Sequence, residues 1–438
     1  MDWKEDSRIE RLNSCEPKKN VLYVMRRDQR IYQNHSIELS YRISYKLKSQ
    51  FFIGIEFGKL KMNKVQEKFV IEGLNEIFED CGKYNLSISN ITDLKDFIKT
   101  NDIGTVILDF CPLRESLERR EQIKKICQNI CLIVCDSHNI VPCRCLEKYK
   151  RTSKAVKHDL YAQWARFLKE YEKLKPHKYN KINEGQNPFE MIKTSSIHKG
   201  YKPMFRGGYS EGMKTLDVFF KNKFQHYCQS RNNPEADVLS NLSPYLHTGQ
   251  ISPLEVILIT NKKYGKEGSS NYINFVDEFF IWRETAEHFV FHEPNYDNIQ
   301  GALPWARETL LNHASDARSK TYTQKKLEDA NTEDDLWNAA QKEMMISGKM
   351  HGYVRMYWAK RLLGWFNDPS EALKVGIDLN DKYSMDGNDP NGYLGVMWSI
   401  CGSMDRAFGE RNIFGKIRPM KSFKSPSYIQ KWTKNSKM

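Results

Sequence analysis

The sequence predicts two successive architectures: a Rossmann-like, doubly wound α/β domain with a parallel sheet, then an all-helical domain. Three observations carry that reading. From residue 21 to about 141, short apolar runs alternate with helical patterns, the signature of parallel strands joined by crossover helices. From 204 to about 414 the periodicity is almost entirely helical, interrupted by Pro and Gly loops. The chain has 438 residues, 40% hydrophobic and 12% aromatic, which suits two or three domains with large cores and excludes a disordered polymer.

Residues 1–20 (MDWKEDSRIERLNSCEPKKN) are charged throughout and read as an extension without the apolar segment of a secretion signal. VLYVM, FFIGIEFG, TVILDF and CLIVCDS read as strands, with KVQEKFVIEGLNEIFEDCG as an intervening helix, giving an α/β domain over 21–147. No strand is followed by GxGxxG, so a dehydrogenase-type dinucleotide site is not supported. Cys127, Cys131, Cys135, Cys143 and Cys145 fall in one short stretch. A metal site is nevertheless rejected, because Cys131 and Cys135 read as core residues of a strand and no second pair completes four ligands. Residues 148–202, a basic helix-like stretch followed by a loop rich in Lys, Asn and Pro, read as an interdomain linker that wraps the surface. Amphipathic pieces such as GMKTLDVFFKNKFQHYC and YINFVDEFFIWRETAEHFVF place the helical domain over 203–420. A basic tail occupies 421–438; from Asn412 onward there are seven Lys or Arg and no acid, expected as a solvated end.

No apolar run approaches the length that spans a bilayer and no internal repeat stands out, so an intracellular monomer (cytoplasm or nucleus) is expected. Such a setting also argues against disulfides. The net charge of +13 points either to a polyanionic partner bound through counterion release or to a merely basic soluble protein.

The most telling stretch is LWNAAQKEMMISGKMHGYVRMYWAKRLLGW, which holds Trp337, Trp358 and Trp365. The seven-residue spacing of the last two predicts two helical turns, roughly 10 Å along one face. Indoles in series can pass an electron by short hops between a buried redox centre and solvent; the competing reading is ordinary core aromatics.

That stretch, continued by LNDKYSMDGNDPNGY and MWSICGSMDRAFGERNIFGKIR, strongly resembles the class II cyclobutane pyrimidine dimer photolyases of the photolyase/cryptochrome family. RRDQR at 26–30, DFCPLR at 109–114, DSHNIVP at 136–142 and SNLSPYLHTGQISP at 240–253 resemble the same family, in order along residues 20–420. The resemblance implies that the helical half is an FAD-binding catalytic domain and that the α/β half can hold an antenna chromophore of unspecified identity. It implies ultraviolet-damaged DNA containing cyclobutane dimers as the partner. The implied activity is light-driven repair: photoexcited FADH− gives an electron to a flipped-out dimer, the ring opens, and the electron returns with no net redox change. A non-enzymatic flavin photoreceptor of the cryptochrome kind is the alternative.

By the same resemblance, Ser240, Asn241, Leu242, Ser243, Arg283, Arg355, Asn380, Asp386, Asn391 and Gly392 line the cofactor. Read as residues, Ser240 and Ser243 at a helix start suit either a pyrophosphate or an ordinary N-cap. Asn380 is implied to sit near flavin N5, where an amide presents oxygen or nitrogen as the protonation state requires; a helix cap is its bland role. Arg355 and Asp386 are implied to flank the isoalloxazine, although a surface ion pair would read alike. Trp282, Trp398 and Met356 are implied to wall the flipped dimer. Glu278, four residues before Trp282, is implied to hydrogen-bond the lesion and stabilise its radical anion, and Arg231 to fill the gap left in the duplex. For these residues the alternatives are core packing and solvated charge. The expected catalytic set is Glu278, Asn380 and the three indoles, with Trp358 nearest the flavin, Trp337 intermediate and Trp365 the exit to solvent. IYQNHSIELS after RRDQR and CRCLEKYKRTSKAVKHDLYAQW after DSHNIVP depart from the family's usual continuation and bear on the antenna rather than on repair.

Overall fold

The computed structural model describes residues 6–181 and 185–434. Six strands form one sheet: β1 (Ile9–Arg11), β2 (Asn20–Val24), β3 (Phe51–Ile55), β4 (Ser87–Asn90), β5 (Ile103–Asp109) and β6 (Cys131–Cys135), in the order β1-β6-β5-β2-β3-β4. β2 to β6 are parallel, joined through α1 (His35–Leu47), α2 (Lys64–Lys83), α3 (Leu94–Thr100) and α4 (Arg114–Ile126). Side chains alternate across the pleat. Val21 and Tyr23 therefore enter a core with Ile37 of α1 and Leu74 of α2, while Leu22 and Val24 enter a second core with Leu94 of α3 and Ile123 of α4. Burial on both faces is why these strands read as unbroken apolar runs. Cys131 and Cys135 are 0% and 1% exposed in β6.

Both sheet edges were invisible in the sequence pattern. Residues 1–20, expected as an extension, contribute β1, which pairs antiparallel with β6 at Ile9–Cys135 and Arg11–Ile133. Arg8 is buried beside it and donates to the carbonyls of Asp136 and Asn139 at 3.0 and 2.7 Å. β4, Ser-Ile-Ser-Asn, closes the other edge. Short polar edge strands of this kind blunt unwanted pairing and leave little hydrophobic signal.

α5 (Ser153–Phe167) follows, then an irregular path along the sheet domain. Asn180 fastens that path: its amide accepts from Phe51 N at 2.7 Å and donates to Phe51 O at 2.9 Å. Phe189 is fully buried in the first sheet core.

The helical half comprises α6 (Tyr209–Asn222), α7 (Tyr227–Ser230), α8 (Ser243–His247), α9 (Pro253–Tyr264), α10 (Ser270–Val276), a π-helical turn (Asp277–Trp282) and α11 (Arg283–His292). It continues with α12 (Pro304–Asn312), α13 (Gln324–Glu328), α14 (Asp335–Ser347), α15 (Gly352–Leu363), α16 (Pro369–Tyr383) and α17 (Pro390–Cys401). Local chemistry sets the starts of the central helices. Asp334 accepts from Trp337 N at 3.0 Å, and Asp368 and Asp389 cap α16 and α17 with Pro at the first position.

The basic tail is not a solvated end. Pro426–Lys434 forms α18, with Tyr428 and Trp432 buried against α14. The Tyr428 hydroxyl donates to Glu343 at 2.5 Å, and Glu235 accepts from Ser427 N at 2.9 Å. Tyr428 and Trp432 are four residues apart and, with Ile429, form one apolar stripe on an otherwise polar helix.

The two halves meet through a shared apolar core, in which Phe69 of α2 packs on Tyr245 of α8 at 5.1 Å, and through charged motifs. Arg27 of RRDQR forms a buried ion pair with Glu287 of α11, and Arg30 donates to Gly249 O at 2.9 Å and Ser137 O at 2.7 Å. Gly249 has φ +65°, and a Cβ there would lie 2.4 Å from Arg27 O, so the close backbone approach requires glycine. Among the described residues, no helix is long and apolar enough to cross a membrane.

Candidate cofactor and substrate site

α14 and α15 bring the three indoles together in the helical core. Trp358 and Trp337 stack with ring centroids 6.0 Å apart and 12° between planes, and Trp337 meets Trp365 edge-on at 5.2 Å. Trp337 Nε1 donates to Trp358 O at 2.9 Å and Trp358 Nε1 to Gln341 at 3.1 Å, so neither buried N–H is orphaned. Trp337 thus stands between the other two.

Two expectations about Trp365 need correction. α15 stops at Leu363 with Gly364 at its C-cap, so the seven-residue spacing is not two helical turns: Trp365 belongs to the following turn. Nor is Trp365 an exit to solvent, being 2% exposed. Its ring is covered edge-on by half-buried Tyr322 at 5.0 Å, with the Arg361 guanidinium 4.8 Å from its centroid. Tyr322 extends the aromatic series outward, and sequence reading missed it because a tyrosine in a polar loop carries no motif.

Five residues expected at the cofactor, Arg355, Asn380, Asp386, Asn391 and Gly392, lie on or between α15, α16 and α17, which pack against one another. Arg355 Nη2 sits 3.3 Å from Asp386 Oδ1, with side chains 18% and 15% exposed, so this is a largely sheltered pair and not a surface one. Burial raises the Asp386 carboxyl, but Arg355 and the Ser243 hydroxyl outweigh it and hold the group below its ordinary range. Asn380 occupies the last turn of α16, 1% exposed, which removes the helix-cap reading. Its amide accepts from Ser384 Oγ and donates to Asp381, both at 3.2 Å. A Cβ on Gly392 would fall 2.8 Å from Asn380 Nδ2, so glycine is what lets α17 approach that amide. Asn391 is exposed, and its side chain bonds Asp389 at 2.9 Å in the first turn of α17.

The SNLS segment differs from the expected helix-start cradle. Leu242 is the N-cap residue of α8 and offers no side-chain cap; it is 1% exposed, and α8 has five residues. Ser243 turns to Asp386 instead. Half-buried Ser240 precedes Asn241, which has φ +58° and accepts from Lys349 Nζ at 2.5 Å.

Arg283 opens α11 at 5% exposure, with Nη2 donating to His138 O at 3.1 Å and Glu284 at 3.0 Å. Glu284 also accepts from Ile140 N and Val141 N, and burial pushes its carboxyl up to about 8. Among the described residues, Arg283 Nε and Nη1 are buried without a hydrogen-bond partner, as is Arg355 Nε. Such orphaned guanidinium donors are costly and fit an oxygen-rich ligand.

Three of the residues expected at the substrate meet where the helix widens. Glu278 and Trp282 lie in the π-helical turn, a feature frequent at functional sites. Their four-residue spacing is therefore not an α-helical one. Arg231, at the C-cap of α7, pairs with Glu278 at 2.7 Å, so two residues expected in separate roles are in direct contact. Burial raises the Glu278 carboxyl despite Arg231. Trp282, Met356 and Trp398 are half-buried. The Trp398 ring faces Lys360 Nζ at 5.5 Å and Arg418 Cζ at 5.7 Å.

The family model described as DNA photolyase matches residues 21–179. The curated protein named deoxyribodipyrimidine photo-lyase from Potorous tridactylus is 35% identical over 413 residues, covering 91% of this chain and 77% of its own length. The chain belongs to the DNA photolyase family. Family proteins of the same name from Arabidopsis thaliana and Methanothermobacter thermautotrophicus are each 32% identical, the latter over 94% of both chains. The fold is also that of a class III photolyase from Agrobacterium tumefaciens (TM-score 0.69, 17% identity) and of a Synechocystis cryptochrome (TM-score 0.69, 15% identity). Each match covers 97% of this chain and 88% of the other.

Proposed function

We propose that the protein is a light-driven deoxyribodipyrimidine photo-lyase, of the class II type its motifs resemble, which splits cyclobutane pyrimidine dimers in DNA with FAD as cofactor. The observation that carries the reading is the coexistence, in one helical half, of a buried indole series and of half-buried Trp282 in the same π-helical turn as Glu278. A photoreceptor needs the first and has no use for the second. The cryptochrome alternative draws on a fold that both kinds of protein share.

Arg283 and Arg355 carry unpartnered N–H groups that FAD oxygens would satisfy, with Asp386, Ser240, Asn241, Leu242, Ser243, Asn391 and Gly392 shaping the surround. When bound, reduced FAD supplies on illumination the electron that the dimer takes up and returns. Asn380, buried and adjustable, is the residue that answers to protonation at flavin N5. Trp282 and Trp398 offer flat walls and Met356 a deformable contact for a flipped-out pyrimidine pair. Glu278 hydrogen-bonds the lesion, and its raised pKa favours the protonated, donating form. Arg231 leaves Glu278 and enters the duplex gap. Trp358, Trp337 and Trp365 conduct reducing equivalents inward from the Tyr322 side.

A cavity of about 260 Å³ lies at the carboxyl ends of β2 and β5, where the strand order reverses. It is lined by Arg26, Met62, Cys111, Arg119 and Asn388; among the described residues Asn388 Oδ1 is buried without a hydrogen-bond partner, and Arg26 Nη1 has only an ion pair with Glu56 at 3.5 Å. This is the proposed seat of an antenna chromophore. The protein is proposed to act inside the cell as a monomer on damaged DNA.

The test is anaerobic, chemically reduced protein illuminated with an oligonucleotide carrying one thymine cyclobutane dimer, beside a dark control and a (6-4) photoproduct. Light-dependent loss of the cyclobutane lesion alone is expected. Bound FAD without repair of either lesion would favour the photoreceptor.

A further inference from the structure

Lys349 falls within the quoted stretch that holds the three indoles but has no role among those implied for it, and the two acids that face it, Asp386 and Glu343, are already engaged by other donors. Gly348, at φ +73°, ends α14 and turns the chain inward; a Cβ there would lie 2.6 Å from Met385 Cγ. Met385 N donates to Gly348 O at 2.7 Å, pinning residues 348–351 against the Asp386 loop. Lys349 thereby points toward the SNLS segment. Among the described residues its hydrogen-bond partner is the neutral Asn241 amide oxygen at 2.5 Å, and its Nζ lies 5.8 Å from the Phe205 ring.

Donors around it outnumber acceptors. Among the described residues, Arg355 Nε and His351 Nε2 are buried without hydrogen-bond partners. His351 Nδ1 accepts from Tyr353 N at 3.3 Å, which puts the imidazole proton on Nε2 as another unmet donor. Burial, with Lys349 and Arg355 nearby, lowers the His351 pKa to about 4, so the ring is neutral. Of the acids facing this cluster, Asp386 is shared by Arg355 and Ser243, and Glu343 already accepts from His351 N at 3.0 Å and Tyr428 Oη at 2.5 Å. The missing partner therefore carries several anionic oxygens.

We propose that Lys349, with Arg355 and His351, binds the diphosphate of the flavin dinucleotide, with Lys349 as the principal counter-ion. This rests on the FAD reading above and sharpens it: the α14–α15 turn, across from SNLS, supplies the cationic part of the phosphate grip. The neighbourhood supplies a proton signature. Burial is the largest influence on Lys349; Asp386 and Glu343 support its charge, Arg355 and Lys223 oppose it, and its pKa settles lowered to about 8. A phosphate beside it restores the charge, so binding near pH 8 takes up roughly half a proton, and binding near pH 6 takes up almost none.

The experiment is calorimetric titration of FAD into the full-length chain stripped of flavin, without DNA, at pH 8 in two buffers of different ionisation enthalpy. Wild type, Lys349→Met and Lys349→Arg are compared, with ADP and adenosine as competitors. The expected result is a roughly 10- to 100-fold weaker FAD affinity for Lys349→Met, loss of its proton uptake, loss of the preference for ADP over adenosine, and recovery of affinity in Lys349→Arg. If Lys349→Met keeps the ADP preference and proton uptake of wild type, the assignment is overturned, whether or not FAD affinity changes. If wild type itself binds no FAD, it is the flavin reading that fails.

Discussion

Two sets of tryptophans share the helical half and are built on opposite terms. Trp337, Trp358 and Trp365 are at most 2% exposed and lie ring against ring, with the first two indole N–H groups spent on internal partners. Trp282 and Trp398 are half-buried; the first sits on a π-helical turn and the second under two cations. An indole that conducts has to be dry and fixed, because its neighbour's distance sets whether a hop occurs. An indole that receives a base has to keep a face open. Exposure, not sequence spacing, sorts the two sets.

The comparison can be broken in several places. Trp358→Phe should abolish photoreduction of oxidised FAD, followed by flavin absorbance under illumination with an external reductant, while chemically reduced protein still repairs. Unchanged photoreduction would remove Trp358 from the series. Trp398→Ala should act in the other direction: affinity for dimer-containing DNA falls by roughly 5- to 100-fold, the cost of one stacking platform, and photoreduction is unaffected.

A smaller effect separates charge from shape at Glu278. Its folded pKa is raised by burial, so the protonated form persists above the ordinary carboxylate range and is lost as pH climbs through the raised value. Repair yield should therefore be highest on the acid side and decline with rising pH. Glu278→Gln, which always donates, should flatten that profile, and Glu278→Ala should lower the yield at every pH with FAD still bound. A wild-type profile without such a decline would end the donor role. The mildest change expected is in Tyr322→Phe, which slows photoreduction less than Trp358→Phe because Trp365 still receives the electron; an unaltered rate would place the surface end of the series elsewhere.

Much of this layout was legible in the sequence, for reasons that also explain the failures. β2, β3, β5 and β6 are buried on both faces and so spelled themselves in uninterrupted apolar runs. β1 (Ile-Glu-Arg) and β4 (Ser-Ile-Ser-Asn) are edges, where polar residues are tolerated and the signal vanishes. The end of α15 was written in Gly364, but counting seven residues from Trp358 to Trp365 ignored it. In the tail, lysine count concealed the Tyr428–Trp432 stripe that docks α18. Lys349 was illegible for a deeper reason: lysine is ordinarily a surface residue, and its half-buried, inward-turned position depends on a left-handed glycine and on a partner more than a hundred positions away.

The most direct test places both indole sets in one experiment. Trp358→Phe and Trp398→Ala are each assayed for photoreduction of oxidised FAD and, after chemical reduction, for light-driven loss of a cyclobutane thymine dimer at subsaturating DNA. A crossed outcome is predicted, with Trp358→Phe losing photoreduction and keeping repair, and Trp398→Ala keeping photoreduction and losing repair. Loss of both activities in either variant, with FAD retained, would contradict the division of labour between the buried and the half-buried tryptophans.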